Sequence, residues 1–143
     1  MSLYRHTRGY GPDLVLLHGW GMNAAVWEPI AQGLSERFRL TLIELPGHGG
    51  SAPADAADLS EWVALCLAAA PASAHWLGWS LGGQVALGAA LAAPQRLTGL
   101  SLVATTPRFV QAPDWSCAMP VETFEQFAAA LHDDPDATLA RFL

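Results

Sequence analysis

The chain has 143 residues, of which 52% are hydrophobic and 14% charged, enough apolar material for one buried core and too much for a disordered chain. Its net charge is −6 and all seven basic residues are arginine, so the clustered basic surface that nucleic-acid binding requires is absent and no nucleic-acid partner is expected. The N-terminal stretch MSLYRHTRGYGPD has no signal-peptide apolar core, and no apolar run is long enough to cross a membrane. A cytoplasmic location with no membrane partner is the expectation, and Cys66 and Cys117 are read as two reduced thiols.

In chain order, DLVLLHG (Asp13 to Gly19) predicts a buried strand that ends in a loop. NAAVWEPIAQGLSERF predicts a helix with Asn23 as cap and Val26, Ile30 and Leu34 on its apolar face. RLTLIELPGHGGS (Arg39 to Ser51) reads as a second strand followed by a Pro/Gly turn. LSEWVALCLAAA reads as a helix with Ser60 as N-cap and Val63 and Leu67 on one face. AHWLGW (Ala74 to Trp79) is a third strand, LGGQVALGAALAAP (Leu81 to Pro94) an alanine-rich helix, and LTGLSLVATTP (Leu97 to Pro107) a fourth strand. Continuous apolar strands alternating with helices indicate right-handed crossovers and a mostly parallel sheet, an α/β fold with flanking helices. After Pro107 a loop-like segment precedes two amphipathic helices, VETFEQFAAALHDD and PDATLARFL, the second capped by Asp134 before Pro135.

The chemistry concentrates in two motifs. Gly78-Trp79-Ser80-Leu81-Gly82 matches G-x-S-x-G, with an apolar strand leading in and a helix leading out. Small residues flank such a serine because it sits on a tight, strained turn that lifts its Oγ above the sheet. The helix that follows favours negative charge at its N-terminus. The competing reading is a helix-capping serine. The second motif is His18-Gly19-Trp20-Gly21, at the end of the first strong strand. An acyl-transfer serine needs two backbone N–H groups aimed at the tetrahedral oxyanion. Leu81, following the serine, and Trp20, on the glycine-flanked loop, are placed to supply them. Losing one such donor costs about 3 kcal/mol of transition-state stabilisation.

The histidines are weighed separately. His18 is read as orienting the oxyanion loop, and His48, in PGHGG, as shaping the site entrance. His6 and His75 lie outside the motifs. His132, in LHDDPD, is the single histidine after Ser80. A Ser80–His132–Asp triad is set against a helix-end histidine beside a capping aspartate, and the hydrolase order of serine, acid, then histidine favours the second reading. No cluster has metal-ligand spacing, so no metal is expected.

With LVLLHGWGMNAAVW, LIELPGHGGS, WLGWSLGGQVAL and LVATTPRF in view, the chain resembles the α/β-hydrolase superfamily. Within it, the chain is most similar to the pimeloyl-[acyl-carrier protein] methyl ester esterases, the carboxylesterases of biotin synthesis. The resemblance implies residues 1–107 as the N-terminal part of the hydrolase core, with oxyanion loop and nucleophile elbow, and residues 108–143 as the start of a helical cap. It implies Ser80 as nucleophile, Trp20 and Leu81 as oxyanion donors and pocket walls, and His18, Gly19, Gly78 and Gly82 as motif support. Phe142 would line the acyl channel, and Arg141 would meet an acyl-carrier protein bearing the pimeloyl methyl ester. From the residues alone, Phe142 reads as a core position and Arg141 as solvated surface.

The implied chemistry is ester hydrolysis by a monomer without a cofactor. Glu44 stands where these families commonly carry aspartate. The family's catalytic acid and histidine lie beyond position 143, so the chain is expected to be an inactive N-terminal fragment of a truncated fold. A generic short-chain esterase, a lyase of the menaquinone pathway and a non-catalytic module that keeps the elbow remain open alternatives.

Overall fold

The computed structural model describes residues 2–55 and 58–142. Met1 and Leu143, the ends of the two expected domains, lie outside the described residues, as do Ala56 and Ala57. The described residues fall into two compact units, one up to Thr106 and one from Pro107.

In the first unit, strands β1 (Arg5–Arg8), β2 (Asp13–Leu17), β3 (Arg39–Ile43), β4 (Ala74–Trp79) and β5 (Leu97–Val103) form one sheet in the order β1-β3-β2-β4-β5. All neighbours are parallel except β1, which runs antiparallel to β3 on the edge. β1 is absent from the sequence reading, because RHTR offers no apolar alternation and its residues are mostly exposed. Register between β2 and β3 is pinned where Asp13 faces Arg39. The guanidinium grips both carboxylate oxygens there, at 2.6 and 2.7 Å, and holds the Asp13 carboxyl below its usual range.

Successive residues of β2 serve opposite faces, as a pleated strand requires. Val15 and Leu17 join Ile43, Trp76, Val63, Cys66, Val85 and Ala89 under helices α2 (Leu59–Ala69) and α3 (Leu81–Ala92). Leu14 and Leu16 join Leu40, Leu42, Trp27 and Ala31 under α1 (Glu28–Ser35). Burial in the first of these layers pushes the Cys66 thiol up to about 12, which makes it an unreactive core residue. The glycines and alanines of α3 let it lie close to its neighbours. A Cβ at Gly88 would come within 2.6 Å of the Val63 side chain.

The helix ends correct two expectations. Asn23 caps as expected, accepting from the Ala25 N–H, but it caps a single 3-10 turn over Ala24–Trp27 that precedes α1. The face turned to the core therefore runs through Trp27 and Ala31, and Ile30 is 46% exposed. Asp58, not Ser60, caps α2, because its carboxylate accepts from both the N–H and the hydroxyl of Ser60. At the other end of α2, the Arg96 guanidinium donates to the carbonyls of Leu67, Pro71 and Ala72, a cation on the negative end of the helix.

The sheet order places a switch point between β2 and β4. The chain leaves β2 through α1 to β3 on one side and leaves β4 through α3 to β5 on the other. A crevice opens at the carboxyl ends of two strands that diverge in this way. His18 and Ser80 each follow one of them directly.

The second unit holds α4 (Val121–Asp133) and α5 (Pro135–Phe142) after a loop with isolated bridges at Val110–Met119 and Ala112–Trp115. Asp134 caps α5 as expected, accepting from the Ala137 N–H at 3.0 Å. Thr138, buried between the helices, donates its hydroxyl to the Ala130 carbonyl. Among the described residues no helix is long and apolar enough to cross a membrane.

Candidate active site

Ser80 has φ 54° and ψ −117°, in the half of backbone space that side chains other than glycine avoid. It occupies the cap position of α3, yet its side chain makes no capping hydrogen bond. The capping reading of Ser80 therefore fails, since a capping serine has extended backbone and an oxygen turned onto the helix N–H groups. Strain of this kind persists only where the surroundings over-determine it. Here the Ser80 N–H donates to the Val103 carbonyl (2.9 Å). The Ser80 carbonyl accepts from the Gly83 N–H (2.9 Å) and from the Thr105 hydroxyl (2.7 Å). Gln84 adds a side-chain bond to the Thr106 carbonyl.

The glycines around Ser80 answer to backbone proximity. A Cβ on Gly82 would lie 2.5 Å from the His18 carbonyl oxygen, and one on Gly78 would lie 2.6 Å from the Gly82 carbonyl carbon. Helix α3 thus begins against the end of β2, which brings the loop after β2 beside the serine. A Cβ on Gly19 would be 3.4 Å from that of Ser80.

That loop is a tight turn. Met22 N–H donates to the Gly19 carbonyl at 3.3 Å, and Gly21, the third residue of the turn, has φ 74°, a position open to glycine. Trp20 is the second residue of the turn. Two histidines hold it from below. His18 is fully buried, its Nε2 accepting from the Leu45 N–H (3.0 Å) and its Nδ1 meeting the Gly19 carbonyl (2.8 Å). His48 repeats the arrangement, with Nε2 accepting from the Gly21 N–H (3.1 Å) and Nδ1 on the Pro46 carbonyl (2.9 Å). In each ring the Nε2 lone pair is taken by a backbone N–H and Nδ1 faces a backbone carbonyl, so neither ring has a lone pair left to act as a base. His18 and His48 thus each bond the backbone of this loop, at Gly19 and at Gly21.

The buried Glu44 spans two further segments. Its Oε1 accepts from the Ala24 N–H (3.1 Å) and its Oε2 from the Gly50 N–H (2.5 Å). The longer side chain in place of aspartate therefore ties the start of the first helical turn to the glycine-rich turn after β3. Neither this role nor the contacts of His48 and Thr105 has a signal in a single sequence, because each joins segments twenty or more residues apart.

Burial holds the His18 imidazole below 6.5, against the smaller opposing effect of its bond to the Gly19 carbonyl. The unfolded chain then takes up a proton near 6.5 that the folded chain resists, so stability falls as pH drops through 6.5 toward the folded value. Thermal melts from pH 7.5 to 5 should show this loss, at most about 1.4 kcal/mol per pH unit for one proton. The slope should flatten in His18→Gln, even though that variant starts less stable.

The other histidines stand apart from Ser80 or belong to the second unit. His75 Nε2 pairs with the Ser101 hydroxyl at 2.9 Å, His6 is exposed on β1, and His132 lies in the last turn of α4. Phe142 is 55% exposed, with its ring 5.6 Å from that of Phe127, which corrects its reading as a core position. With Ala130, Thr138 and Arg141 these rings line an open, apolar groove of about 260 Å³. Arg141 is exposed, its Nε donating to the Ala137 carbonyl. No group of three metal-ligating side chains occurs among the described residues.

Comparison with known proteins adds relatives to this geometry. Residues 12–143 match the family model described as the alpha/beta hydrolase fold. The chain is 47% identical over 142 residues to a pimeloyl-[acyl-carrier protein] methyl ester esterase of Aliivibrio salmonicida, covering 99% of this chain and 54% of that protein. A namesake from Nitrosomonas europaea is 44% identical, with 99% and 56% covered. Among solved structures, an esterase from Exiguobacterium antarcticum superposes with a TM-score of 0.85 at 24% identity, over 98% of this chain and 55% of its own. A hydrolase from Pseudomonas aeruginosa superposes at 0.80 with 30% identity, over 98% and 53%. The chain spans about half the length of the curated relatives it matches.

Proposed function

The chain belongs to the α/β-hydrolase fold family, and from that premise we propose that it carries the nucleophile and oxyanion hole of a serine carboxylesterase acting on the methyl ester of a pimeloyl-[acyl-carrier protein]. The observation that carries this reading is Ser80 itself, a non-glycine residue braced at φ 54° beside a glycine-rich loop, with its hydroxyl unused by the helix it begins. Relatives at 44–47% identity that bear the esterase name supply the substrate class.

Ser80 Oγ attacks the ester carbonyl while a histidine takes its proton. The carbonyl oxygen becomes an oxyanion held by the N–H groups of Trp20 and Leu81, at the positive end of α3. Collapse expels methanol, which receives the proton from the histidine, and leaves an acyl-serine that water then hydrolyses. His18 and His48 are engaged with the backbone, so the base and its acid partner are assigned to the part of the relatives' length that this chain does not span. On its own the 143-residue chain is accordingly expected to turn over esters poorly. Phe142 and the groove it lines offer an apolar wall for the acyl chain, and the exposed Arg141 offers a positive contact for an acidic carrier protein.

The gene product that contains this chain should release methanol from pimeloyl-[acyl-carrier protein] methyl ester, and faster than from free dimethyl pimelate. Hydrolysis confined to small esters would replace this reading with a generic esterase. Formation of 2-succinyl-cyclohexadiene carboxylate would replace it with the lyase.

A further inference from the structure

We propose that Thr105 is a positioning residue for the reaction, gripping the peptide that joins Ser80 to Leu81 so that the Leu81 N–H points at the oxyanion. The inference deepens the reading of Ser80 and Leu81 given above and rests on it. Its basis is the bond from Thr105 Oγ1 to the Ser80 carbonyl, the shortest of the bonds at the elbow at 2.7 Å. A trans peptide is planar, and its C=O and N–H point in opposite directions. A hydroxyl that fixes where the Ser80 carbonyl points therefore fixes where the Leu81 N–H points. A hydrogen bond on the carbonyl also polarises the amide and strengthens its N–H as a donor.

The grip comes from a different element than the helix. The end of β5 accepts the Ser80 N–H at the Val103 carbonyl, so the peptide units on both sides of Ser80 are tied to Val103–Thr105. Between those two ties Ala104 has φ 46°, a second non-glycine residue in the disfavoured half of backbone space. That conformation turns the chain so that Thr105 reaches back to the elbow. The Thr105 methyl seats over Gly83, where an added Cβ would lie 2.6 Å from it, so the side chain has one place to sit. Two strained residues thus face each other across a pair of hydrogen bonds, and the hydroxyl is the one member that substitution can remove without moving backbone.

The test uses the gene product that contains this chain, in Thr105→Val and Thr105→Ser forms. Valine keeps the shape and removes the donor, and should lower kcat about three- to tenfold, the worth of one hydrogen bond, with KM little changed. Serine keeps the donor and should restore kcat. The Leu81 amide ¹⁵N resonance should move in the valine form and stay in the serine form. Unchanged kcat in Thr105→Val overturns the proposal, as does an equal fall in both variants, which would mean that bulk and not the hydroxyl matters. Should valine prevent folding, Thr105→Ala carries the same readings. Ser80→Ala separates the two levels of the argument. If it keeps full activity the esterase reading has failed, and the Leu81 resonance alone then decides, a static resonance overturning the grip.

Discussion

Ser80→Ala should lower ester hydrolysis by the gene product that contains this chain about a million-fold in kcat, the scale seen when a serine nucleophile is removed. Residual turnover would come from the oxyanion donors and binding alone, which leave about a thousand-fold or more over water. KM should change little, because the hydroxyl contributes to the transition state and not to holding the substrate. The backbone should not relax either, since the strain at φ 54° is held by bonds to Val103, Gly83 and Thr105 that alanine leaves intact. Steady-state assay with a matched thermal melt checks both points. A fluorophosphonate probe extends the test to the 143-residue chain by itself. Slow labelling is expected where no histidine activates the serine. Labelling as fast as that of a complete serine hydrolase would show that a base lies within these residues, with His132 the first to substitute.

Gly82→Ala should damage the first unit despite the small size of the change. Alanine inside a helix is ordinarily better than glycine by about 1 kcal/mol. Here the added methyl would lie 2.5 Å from the His18 carbonyl oxygen, and equally close to the end of β2 at Leu17. Both obstacles are backbone, one in a central strand and the other in the loop that Gly19 and Trp20 share, so neither can rotate away. Overpacking of this kind costs about 1–3 kcal/mol or more, which exceeds the propensity gain. The expected result is a net loss of stability together with a displaced loop after β2, read by chemical denaturation and by a fall in kcat larger than the change in KM. A more stable Gly82→Ala variant would mean that α3 does not start against β2 as closely as described.

Part of this architecture is written in short stretches of chain. The central strands β2, β3 and β4 are largely apolar because both of their faces are covered, and the parallel order follows from the helices between them. Asn23 and Asp134 cap where their spacing from the helices indicates. Ser80 is conspicuous because a tight turn tolerates only small neighbours. Where local signals compete, they mislead by a residue or two. Asp58 takes the capping position from Ser60 because its carboxylate reaches both donors of that serine, and Trp27 with Ala31 displaces Ile30 from the core because a 3-10 turn shifts the phase of the helix. Strand β1 is illegible for a different reason. An exposed edge strand of four polar residues is specified by its partner, not by its own pattern.

By itself, then, the sequence determines the α/β alternation, the two motifs and the resemblance they carry, all of which depend on residues within about a dozen positions of one another. Tertiary structure alone decides that Ser80 is strained and does not cap α3, that His18 and His48 are tied to backbone around the loop of Trp20, and that Glu44 and Thr105 bind these segments from elsewhere in the chain. The physical reason is common to these cases. A hydroxyl, an imidazole or a carboxylate can serve as catalyst, cap or brace, and which of these it becomes depends on the donor or acceptor that the fold brings within 3 Å of it.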